Sequence, residues 1–284
     1  MTDPRPNFRI LALDVDGTLL DGRGELRPRT RAAVASAAEA GIRPILCTGR
    51  RYRRARPVAE ALGLDAPLVC NSGALVKSSD GRKTLWRADF ADDLLDAILA
   101  FFHEQDEPVV GFADRPADDH DFVIAQDITG RPMFDEYVNM NRVHALVDPR
   151  WGRGDGGDPQ FHVCAIGHRE RMLELESIVV DRLGDRVRTF VQKSPIYSGT
   201  MCEVLRGDAS KWSAVLHLAE LWGVSAAEIC AIGDDMNDLP MIAGAGFGVA
   251  MAHAPVEVRD AADHVTSGND DDGVAVVIEE FLLP

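Results

Sequence analysis

The sequence predicts an α/β fold in which a parallel sheet, with helices on both faces, is split by an inserted α+β domain. Three observations support this prediction. Residues 8–74 alternate between short apolar runs and helical stretches, and residues 207–284 alternate in the same way. Residues 88–206 instead show two long helical stretches among several apolar runs of strand length. Alternating strands and helices form parallel sheets with right-handed crossovers, so we expect both alternating parts in one sheet.

The first part is predicted to contain three strands separated by helices. The apolar run Ile10–Leu13 leads directly into Asp14, and such a run is typical of a strand buried on both faces. An Ala-rich helix over 27–40 follows and ends at Gly41, a residue that favours the conformation after a helix C-terminus. The remaining elements repeat the alternation: a strand over 42–47, a helix over 52–62 and a short strand over 67–70.

The last part shows the same alternation. The stretch 210–222 carries an apolar stripe at helical spacing, formed by Trp212, Val215, Ala219 and Trp222. The predicted elements after it are a strand over 229–232, the loop 233–238, a short helix, a strand near 248–251 and a final helix over 274–281. We therefore assign 207–284 to the same core as 1–87.

The middle segment, 88–206, is predicted to be a separate α+β domain. Its expected elements are helices over 92–104 and 170–183 and strands over 186–192 and 201–206, together with further apolar runs. The simplest arrangement is a parallel core interrupted by this insertion.

Composition and charge exclude several classes of function. The length of 284 residues suits two domains, or one domain with a large insertion. Apolar residues make up 46% and charged residues 27%, as in water-soluble globular proteins. The formal net charge of −16 argues against wrapping nucleic acid or coating an anionic membrane, since both need basic surface. Small phosphorylated ligands remain compatible with it, because a local cation can hold them.

The N-terminal sequence, the lack of long apolar segments and the cysteines predict a cytoplasmic protein. The N-terminal residues have no apolar signal-peptide region, and no segment approaches the roughly 18 apolar residues of a spanning helix. The five cysteines are odd in number and far apart in sequence, so we expect buried, reduced thiols. Oligomeric state is not predicted by these observations.

Acidic and polar residues stand at the ends of four predicted strands. They are Asp14 and Asp16, Thr48, Asn71, and Asp234 with Asp235, and a helix start adds Lys211. Open α/β sheets bind ligands at the carboxyl ends of their strands. Carboxylates suit Mg²⁺, which is usually held by one or two of them plus substrate phosphate, and Thr, Asn and Lys donate to phosphate oxygens. This mixture predicts a magnesium and phosphate site suited to phosphoryl transfer.

Each of these acids also has a purely structural interpretation. Asp and Gly are ordinary turn residues, so Asp14–Gly17 could be only an acidic turn. Asp234, Asp235 and Asp238 could start the next helix, although one helix does not need three caps.

Two basic residues also have competing interpretations. Lys211 opens its helix, where the macrodipole disfavours a cation by about 0.3–1 kcal/mol, so a bound anion explains it better than a solvated surface position. Arg50 follows a strand end and could face a ligand, whereas we expect its arginine neighbours at 51, 53, 54 and 56 to form a solvated face.

Taken together, the motifs resemble the haloacid dehalogenase superfamily, and within it the Cof-type sugar-phosphatase group with a large α/β cap. The resemblance covers the whole chain. Its matching segments, in order, are Asp14–Leu20, Thr48-Gly49-Arg50, Asn71–Ala74, Lys211 and Gly233–Met241. Two departures concern the pocket wall: Ser72 interrupts the group's Asn-Gly pair, and Trp212 stands where Gly is common.

The resemblance implies a Rossmann-like core, an inserted cap and a set of roles. Asp14 would attack phosphorus to form an aspartyl-phosphate, and Asp16 would protonate the leaving group and then activate water. The implied Mg²⁺ ligands are the Asp14 carboxylate, the Asp16 backbone carbonyl and Asp234, with support from Asn237 or Asp238. The implied phosphate-binding residues are Thr48, Gly49, Lys211 and Asn237, and the supporting or substrate-contacting residues are Arg50, Asn71, Asp235 and Asp238.

The resemblance leaves the substrate open. Sugar phosphates and phosphorylated cofactors such as flavin mononucleotide or pyridoxal phosphate are all candidates, and fold analogy does not choose among them. The cap would exclude water and select the substrate, and its 118–121 loop (Asp118, Asp119, His120, Asp121) could either contact substrate or be a plain exposed loop.

Two alternative functions share part of this chemistry. A phosphomutase of the same superfamily would form the aspartyl-phosphate but return the phosphate to a sugar. A receiver-like signalling module also has strand-end acids, Mg²⁺, a phosphorylated Asp, a Thr and a Lys. Receivers form one compact domain and carry their acidic pair before the phosphorylated Asp, whereas here Asp16 follows Asp14 and 88–206 is inserted.

Overall fold

The computed structural model describes residues 7–115, 120–151, 159–193 and 196–283. They form two compact units. The first contains the described parts of Met1–Trp86 and Ser210–Pro284, and the second contains those of Arg87–Ala209. The predicted domain boundaries, after residues 87 and 206, lie close to these limits.

The described residues contain fourteen strands. In chain order they are β1 (Ile10–Leu13), β2 (Arg43–Cys47), β3 (Leu68–Cys70), β4 (Leu75–Lys77), β5 (Thr84–Arg87), β6 (Val109–Ala113), β7 (Phe122–Ile124), β8 (Ala145–Val147), β9 (Gln160–Gly167), β10 (Val187–Lys193), β11 (Thr200–Arg206), β12 (Ile229–Gly233), β13 (Phe247–Met251) and β14 (His264–Thr266).

The same residues contain nine α-helices. They are α1 (Pro28–Glu39), α2 (Tyr52–Leu62), α3 (Asp92–Glu104), α4 (Pro132–Met140), α5 (Arg169–Leu183), α6 (Lys211–Leu221), α7 (Leu239–Gly244), α8 (Val256–Asp260) and α9 (Gly273–Val277). A π-helical turn over Ile278–Leu282 continues α9.

The first unit is built on an eight-stranded sheet with the order β14-β13-β12-β1-β2-β3-β4-β5. The pairs from β14 to β3 are parallel, and β4 runs antiparallel to β3. All four residues of β1 have no exposed surface, as expected for a central strand covered on both faces. The α/β fold with a parallel sheet is therefore confirmed.

The register of β1 determines what lies at its carboxyl end. Leu13 is paired with Leu46 of β2 and with Ile232 of β12. The backbone amide of Asp14 continues this ladder by donating to the carbonyl of Ile232 at 3.0 Å. The residues that follow β1, β2 and β12 consequently start from the same edge of the sheet.

The second unit contains a six-stranded sheet with the order β10-β11-β9-β6-β7-β8. Its pairs are antiparallel except β7 with β8, which is parallel. Helices α3 and α5 contribute Phe101, Phe102 and Leu175 to a buried cluster with Val163 and Val204 of the sheet. This α+β pattern agrees with the prediction for the middle of the chain.

Two further expectations concern the chain as a whole. All five cysteines are free and buried, as predicted. Within the part of the chain that the structure describes, no helix combines the length and apolar character that a membrane crossing requires.

Candidate active site

A tight turn follows β1 and brings its acids against the β12 loop. The amides of Leu19 and Leu20 both donate to the carbonyl of Val15, at 3.1 and 3.0 Å. Gly17 has φ +84°, and a Cβ there would lie 2.4 Å from Asp234 Oδ2. Glycine is required at this position because the backbone conformation is left-handed and a carboxylate occupies the space of a side chain.

A buried ion-pair network forms the centre of the site. Lys211 Nζ donates to Asp14 Oδ1 and to Asp238 Oδ1, each at 2.6 Å. The exposed fractions of Lys211, Asp14 and Asp238 are 1%, 5% and 0%. One ammonium thus joins the acid after β1 to the acid at the start of α7, in surroundings that water barely reaches.

Burial and charge shift the pKa values of all three groups. Burial raises the pKa of Asp14 well above its usual value, and the negative charges of Asp238 and Asp234 add to this while Lys211 opposes it. Burial also raises the pKa of Asp238. Burial alone would lower the pKa of Lys211, but the two carboxylates outweigh it and raise that pKa.

The loop after β12 is folded around Asp238. Its Oδ2 accepts hydrogen bonds from the amides of Asp234 and Asp235, at 3.0 and 3.1 Å. A Cβ on Gly233 would lie 2.5 Å from the Asp238 Cβ, so glycine lets the loop close over this side chain. Asp238 therefore fixes both the loop and Lys211, and both of its oxygens are already engaged.

The helix start that carries Lys211 is defined by local hydrogen bonds. Ser210 Oγ accepts from the amide of Ser213 at 3.1 Å, and Ser213 Oγ accepts from the amide of Ser210 at 2.9 Å. This capping box explains why α6 begins at Lys211. A Cβ on Gly73 would lie 2.1 Å from the carbonyl oxygen of Ser210, so the turn after β3 touches this helix start.

The turn after β3 is strained. Asn71 and Ser72 have φ values of +50° and +53° and are almost fully buried. For residues other than glycine this conformation costs roughly 1–3 kcal/mol each, and surrounding contacts must hold it. Asn237 Nδ2 donates to Ser72 Oγ at 3.4 Å, and the amide of Ser72 donates to the carbonyl of Thr48 at 3.1 Å. The departure at Ser72 is thus a buried contact between loops of the site.

Asp16 is held by Arg50. Arg50 Nε donates to Asp16 Oδ2 at 2.7 Å, and Nη2 donates to Oδ1 at 2.5 Å. The side chains of Arg50 and Asp16 are 18% and 26% exposed, so this bidentate pair lies at the border of the site. The backbone amide of Arg50 donates to Thr48 Oγ1 at 3.1 Å, which links the pair to the turn after β2.

Two residues that the sequence analysis gave no role contact Asp234. Thr18 Oγ1 donates to Asp234 Oδ1 at 2.6 Å. His253 Nε2 lies 3.6 Å from Asp234 Oδ2, and this contact raises the pKa of His253. His253 follows β13, the strand beside β12. Because open α/β sheets bind ligands at the carboxyl ends of their strands, the end of β13 was the sequence signal that could have identified His253.

The donor set fits a hard divalent cation. Asp14, Asp234 and Asp238 each offer an oxygen, and these oxygens all lie within 4.8 Å of one another. Mg²⁺ prefers carboxylate oxygens, and the three acids outnumber the single ammonium. Because Asp238 is engaged by Lys211 and two amides, Asp14 and Asp234 are the better candidate ligands.

A family model described as haloacid dehalogenase-like hydrolase matches residues 11–278. The chain belongs to this family. Among curated relatives, the chain is 27% identical to the 5-amino-6-(5-phospho-D-ribitylamino)uracil phosphatase YwtE of Bacillus subtilis, over 97% of this chain and 98% of the relative. It is also 27% identical to the pyridoxal phosphate phosphatase YbhA of Escherichia coli, over 97% and 99%.

A solved structure shows the same fold. It is the crystal structure of a haloacid dehalogenase-like hydrolase from Bacteroides thetaiotaomicron, with a TM-score of 0.76 and 25% identity over 96% of this chain and 98% of that one. The predictions of this family, of its fold and of an enzyme of the phosphatase type are confirmed.

Hydrogen bonds join most of the predicted site residues of this haloacid dehalogenase-like hydrolase into two sets. One contains Asp14, Lys211, Asp234 and Asp238, and the other contains Asp16, Thr48, Arg50 and, through Ser72, Asn237. The amide of Asn71 donates to the carbonyl of Arg50 at 3.0 Å, which adds Asn71 to the second set. Gly49 lies between two of them in sequence and is half-buried. Asp235 Oδ1 accepts from the neighbouring amide of Met236 at 2.7 Å.

Two expectations change, and a third is not tested. A bound anion is not needed to explain a cation at Lys211, because Asp14 and Asp238 already compensate its charge. The expected solvated arginine face fails at Arg51, which is only 7% exposed. Within the predicted 118–121 loop, residues 118 and 119 lie outside the described residues.

Proposed function

We propose that this haloacid dehalogenase-like hydrolase is a Mg²⁺-dependent phosphatase that hydrolyses a small phosphomonoester through an aspartyl-phosphate on Asp14. The observation that carries this proposal is the buried contact of Asp14 with Lys211, beside Asp234 and Asp238 at one sheet edge. A buried carboxylate held against a cation is a plausible nucleophile for a phosphoryl group that brings its own negative charge.

The proposed first step transfers the phosphoryl group to the enzyme. A carboxylate oxygen of Asp14 attacks phosphorus in line, an oxygen–phosphorus bond forms, and the bond from phosphorus to the ester oxygen breaks. Asp16 gives its proton to the departing oxygen, which leaves as an alcohol. Arg50 holds both oxygens of Asp16 in the structure, so we infer that this pair loosens before Asp16 carries a proton.

The proposed second step releases inorganic phosphate. Asp16, now a carboxylate, takes a proton from a water molecule, whose oxygen attacks phosphorus. The bond between phosphorus and Asp14 breaks, and the Asp14 carboxylate is restored. Arg50 can then pair with Asp16 again.

The remaining residues of the site neutralise and orient charge. Lys211 and the hydroxyl of Thr48 are proposed donors to the phosphoryl oxygens, with the amide of Gly49 and the side chain of Asn237 as further candidates. Asp14, Asp234 and the Asp16 backbone carbonyl would hold Mg²⁺. When bound, the metal supplies positive charge that lets a phosphate dianion enter an acidic pocket and stabilises charge in transfer.

The substrate is proposed to be a small phosphorylated metabolite. The two curated relatives are named for a phosphoribityl compound and for pyridoxal phosphate. We propose that the predicted cap, residues 88–206, distinguishes among such substrates, because the core residues contact features that every phosphomonoester shares. Cytoplasmic location remains part of the proposal.

The test is a phosphate-release screen over sugar phosphates, flavin mononucleotide, pyridoxal phosphate and a phosphoribityl compound, with Mg²⁺ and with excess chelator. We expect activity that chelation removes and Mg²⁺ restores. Asp14→Asn should abolish turnover in a folded protein, whereas the control Asp271→Asn, at an exposed acid of the same unit, should not. Full activity in chelator would contradict the metal proposal, and sugar phosphate isomerised without phosphate release would indicate a mutase.

A further inference from the structure

The carboxylate of Asp234 is approached on both oxygens by groups from two different segments. Thr18 Oγ1, from the turn after β1, donates to Oδ1 at 2.6 Å. His253 Nε2, from the segment after β13, lies 3.6 Å from Oδ2. Thr18 is 2% exposed, so its hydroxyl cannot exchange this bond freely for water.

Asp234 differs in this respect from the other acids of the cluster. Within the part of the chain that the structure describes, the Lys211 ammonium donates to Asp14 and Asp238 and not to Asp234. The backbone of Gly17 also lies close to Asp234, because a Cβ at position 17 would be 2.4 Å from Asp234 Oδ2. Thr18, His253 and the Gly17 backbone therefore define the orientation of this carboxylate within the described structure.

Orientation matters for a carboxylate that binds a metal. Groups that hydrogen-bond to a metal-ligating carboxylate fix its direction, and removing such groups typically weakens metal affinity about 10- to 100-fold. A carboxylate free to rotate would have to lose that freedom upon binding, which lowers affinity further.

We propose that Thr18 and His253 are positioning residues that hold Asp234 ready for the divalent cation, without themselves contacting the metal or the substrate. This inference rests on the proposed function, because it assumes that Asp234 is a metal ligand. It predicts that both residues affect metal affinity more than turnover once metal is saturating.

The main readout is the dissociation constant of Mg²⁺, measured by calorimetry on the full-length protein without substrate. Thr18→Val keeps the shape of the side chain but removes the donor, and we expect affinity about 10- to 100-fold weaker. Thr18→Ser keeps the hydroxyl and should stay within about threefold of wild type, since the same bond can form. His253→Leu should weaken affinity about tenfold, and His253→Gln, which keeps an N–H donor, should recover most of it.

Thr30 offers a matched control. It is also 2% exposed, and its hydroxyl also donates to a carboxylate, that of Asp272 at 3.1 Å. Thr30→Val should lower thermal stability but leave Mg²⁺ affinity unchanged. His217→Gln is the corresponding control for a half-buried histidine of the same unit.

A kinetic readout separates positioning from damage to the fold. Raising Mg²⁺ should restore kcat in His253→Leu and in Thr18→Val, because only the affinity for metal is reduced. Should Thr18→Val fail to fold, His253→Leu tests the proposal alone, since this side chain is 44% exposed.

The outcomes distinguish this inference from the proposed function. Wild-type protein that binds no divalent cation would contradict the metal site itself. Wild-type protein that binds Mg²⁺, together with Thr18→Val and His253→Leu variants that bind it within twofold as tightly, would overturn only the positioning role. Loss of kcat that saturating Mg²⁺ does not restore would also overturn it.

Discussion

Replacing Lys211 with Met tests the buried network most severely. Lys211 is 1% exposed, and its ammonium is 2.6 Å from one oxygen of Asp14 and from one of Asp238. Methionine has a similar length but no charge, so Lys211→Met would leave two carboxylates together in a buried place. The cost should come from the unpaired acids, not from lost packing.

The expected cost is large and depends on pH. Removing one partner of a buried ion pair typically destabilises a protein by about 3–5 kcal/mol. Without Lys211, the pKa values of Asp14 and Asp238 rise further above the value of about 4 that they have in the unfolded chain. At a pH where both carboxyls are ionised, each unit by which a folded-state pKa exceeds the unfolded value lowers the free energy of unfolding by about 1.4 kcal/mol. The destabilisation should therefore be full at pH 8 and should shrink as pH falls and the carboxyls bind protons.

The assay is urea unfolding of wild type and Lys211→Met at pH 8 and pH 5.5, without metal. Lys83→Met, at an exposed lysine of the same unit, is the control and should change stability by less than about 0.5 kcal/mol. Lys211→Met combined with Asp238→Asn should recover part of the loss. A Lys211→Met protein as stable as wild type at pH 8, or a deficit that grows as pH falls, would refute the reasoning.

Three further predictions follow from local geometry. Gly17→Ala should weaken Mg²⁺ affinity in calorimetry by tenfold or more and lower the free energy of unfolding by about 1–2 kcal/mol. The alanine would have to adopt φ +84°, and its Cβ would displace the Asp234 carboxylate; unchanged affinity would contradict the close approach of residue 17 to Asp234. Arg50→Gln should lower kcat/KM on an aryl phosphate, since Asp16 loses the bidentate partner that orients its carboxylate; a kcat/KM equal to that of wild type would show that the pair has no role in catalysis. Hydrogen bonds from the Arg27 guanidinium, which lies just before α1, lower the pKa of Asp272, so the contribution of Asp272 to stability is present above pH 4 and is lost as pH falls through that lowered pKa. Asp272→Asn should cost about 1 kcal/mol at pH 7 and less at pH 3, and equal losses at both pH values in thermal unfolding would contradict this.

The elements that carry the site could be predicted because their signals are local. The apolar run before Asp14 has the composition of a central parallel strand, and β1 is indeed fully buried. The helix bounds of α2 and α3 follow from periodicity and flanking residues, and the structure gives Tyr52–Leu62 and Asp92–Glu104. The order and spacing of the motifs were sufficient to predict the family.

The contacts within the site could not be predicted, because they join segments that are distant in sequence. Thr18 and Asp234 are 216 residues apart, and Lys211 lies 197 residues from Asp14. The unfavourable helix dipole at Lys211 suggests an external anion when this residue is viewed alone. In the structure, Asp14 and Asp238, from other segments, compensate the charge of its ammonium. His253 belongs to a segment with no recognised motif, so only the order of the strands reveals its position.

The most direct test of the account is to locate the covalent intermediate. Asp16→Asn protein is mixed with an activated aryl phosphate and Mg²⁺, quenched with acid and reduced with borohydride, which converts an aspartyl-phosphate into homoserine. Peptide mass spectrometry should then find homoserine at residue 14, and omission of Mg²⁺ or use of the Asp14→Asn, Asp16→Asn double variant should abolish it. A phosphorylated residue elsewhere, or aryl phosphate turned over by wild type while residue 14 is never modified in either protein, would contradict the proposed nucleophile.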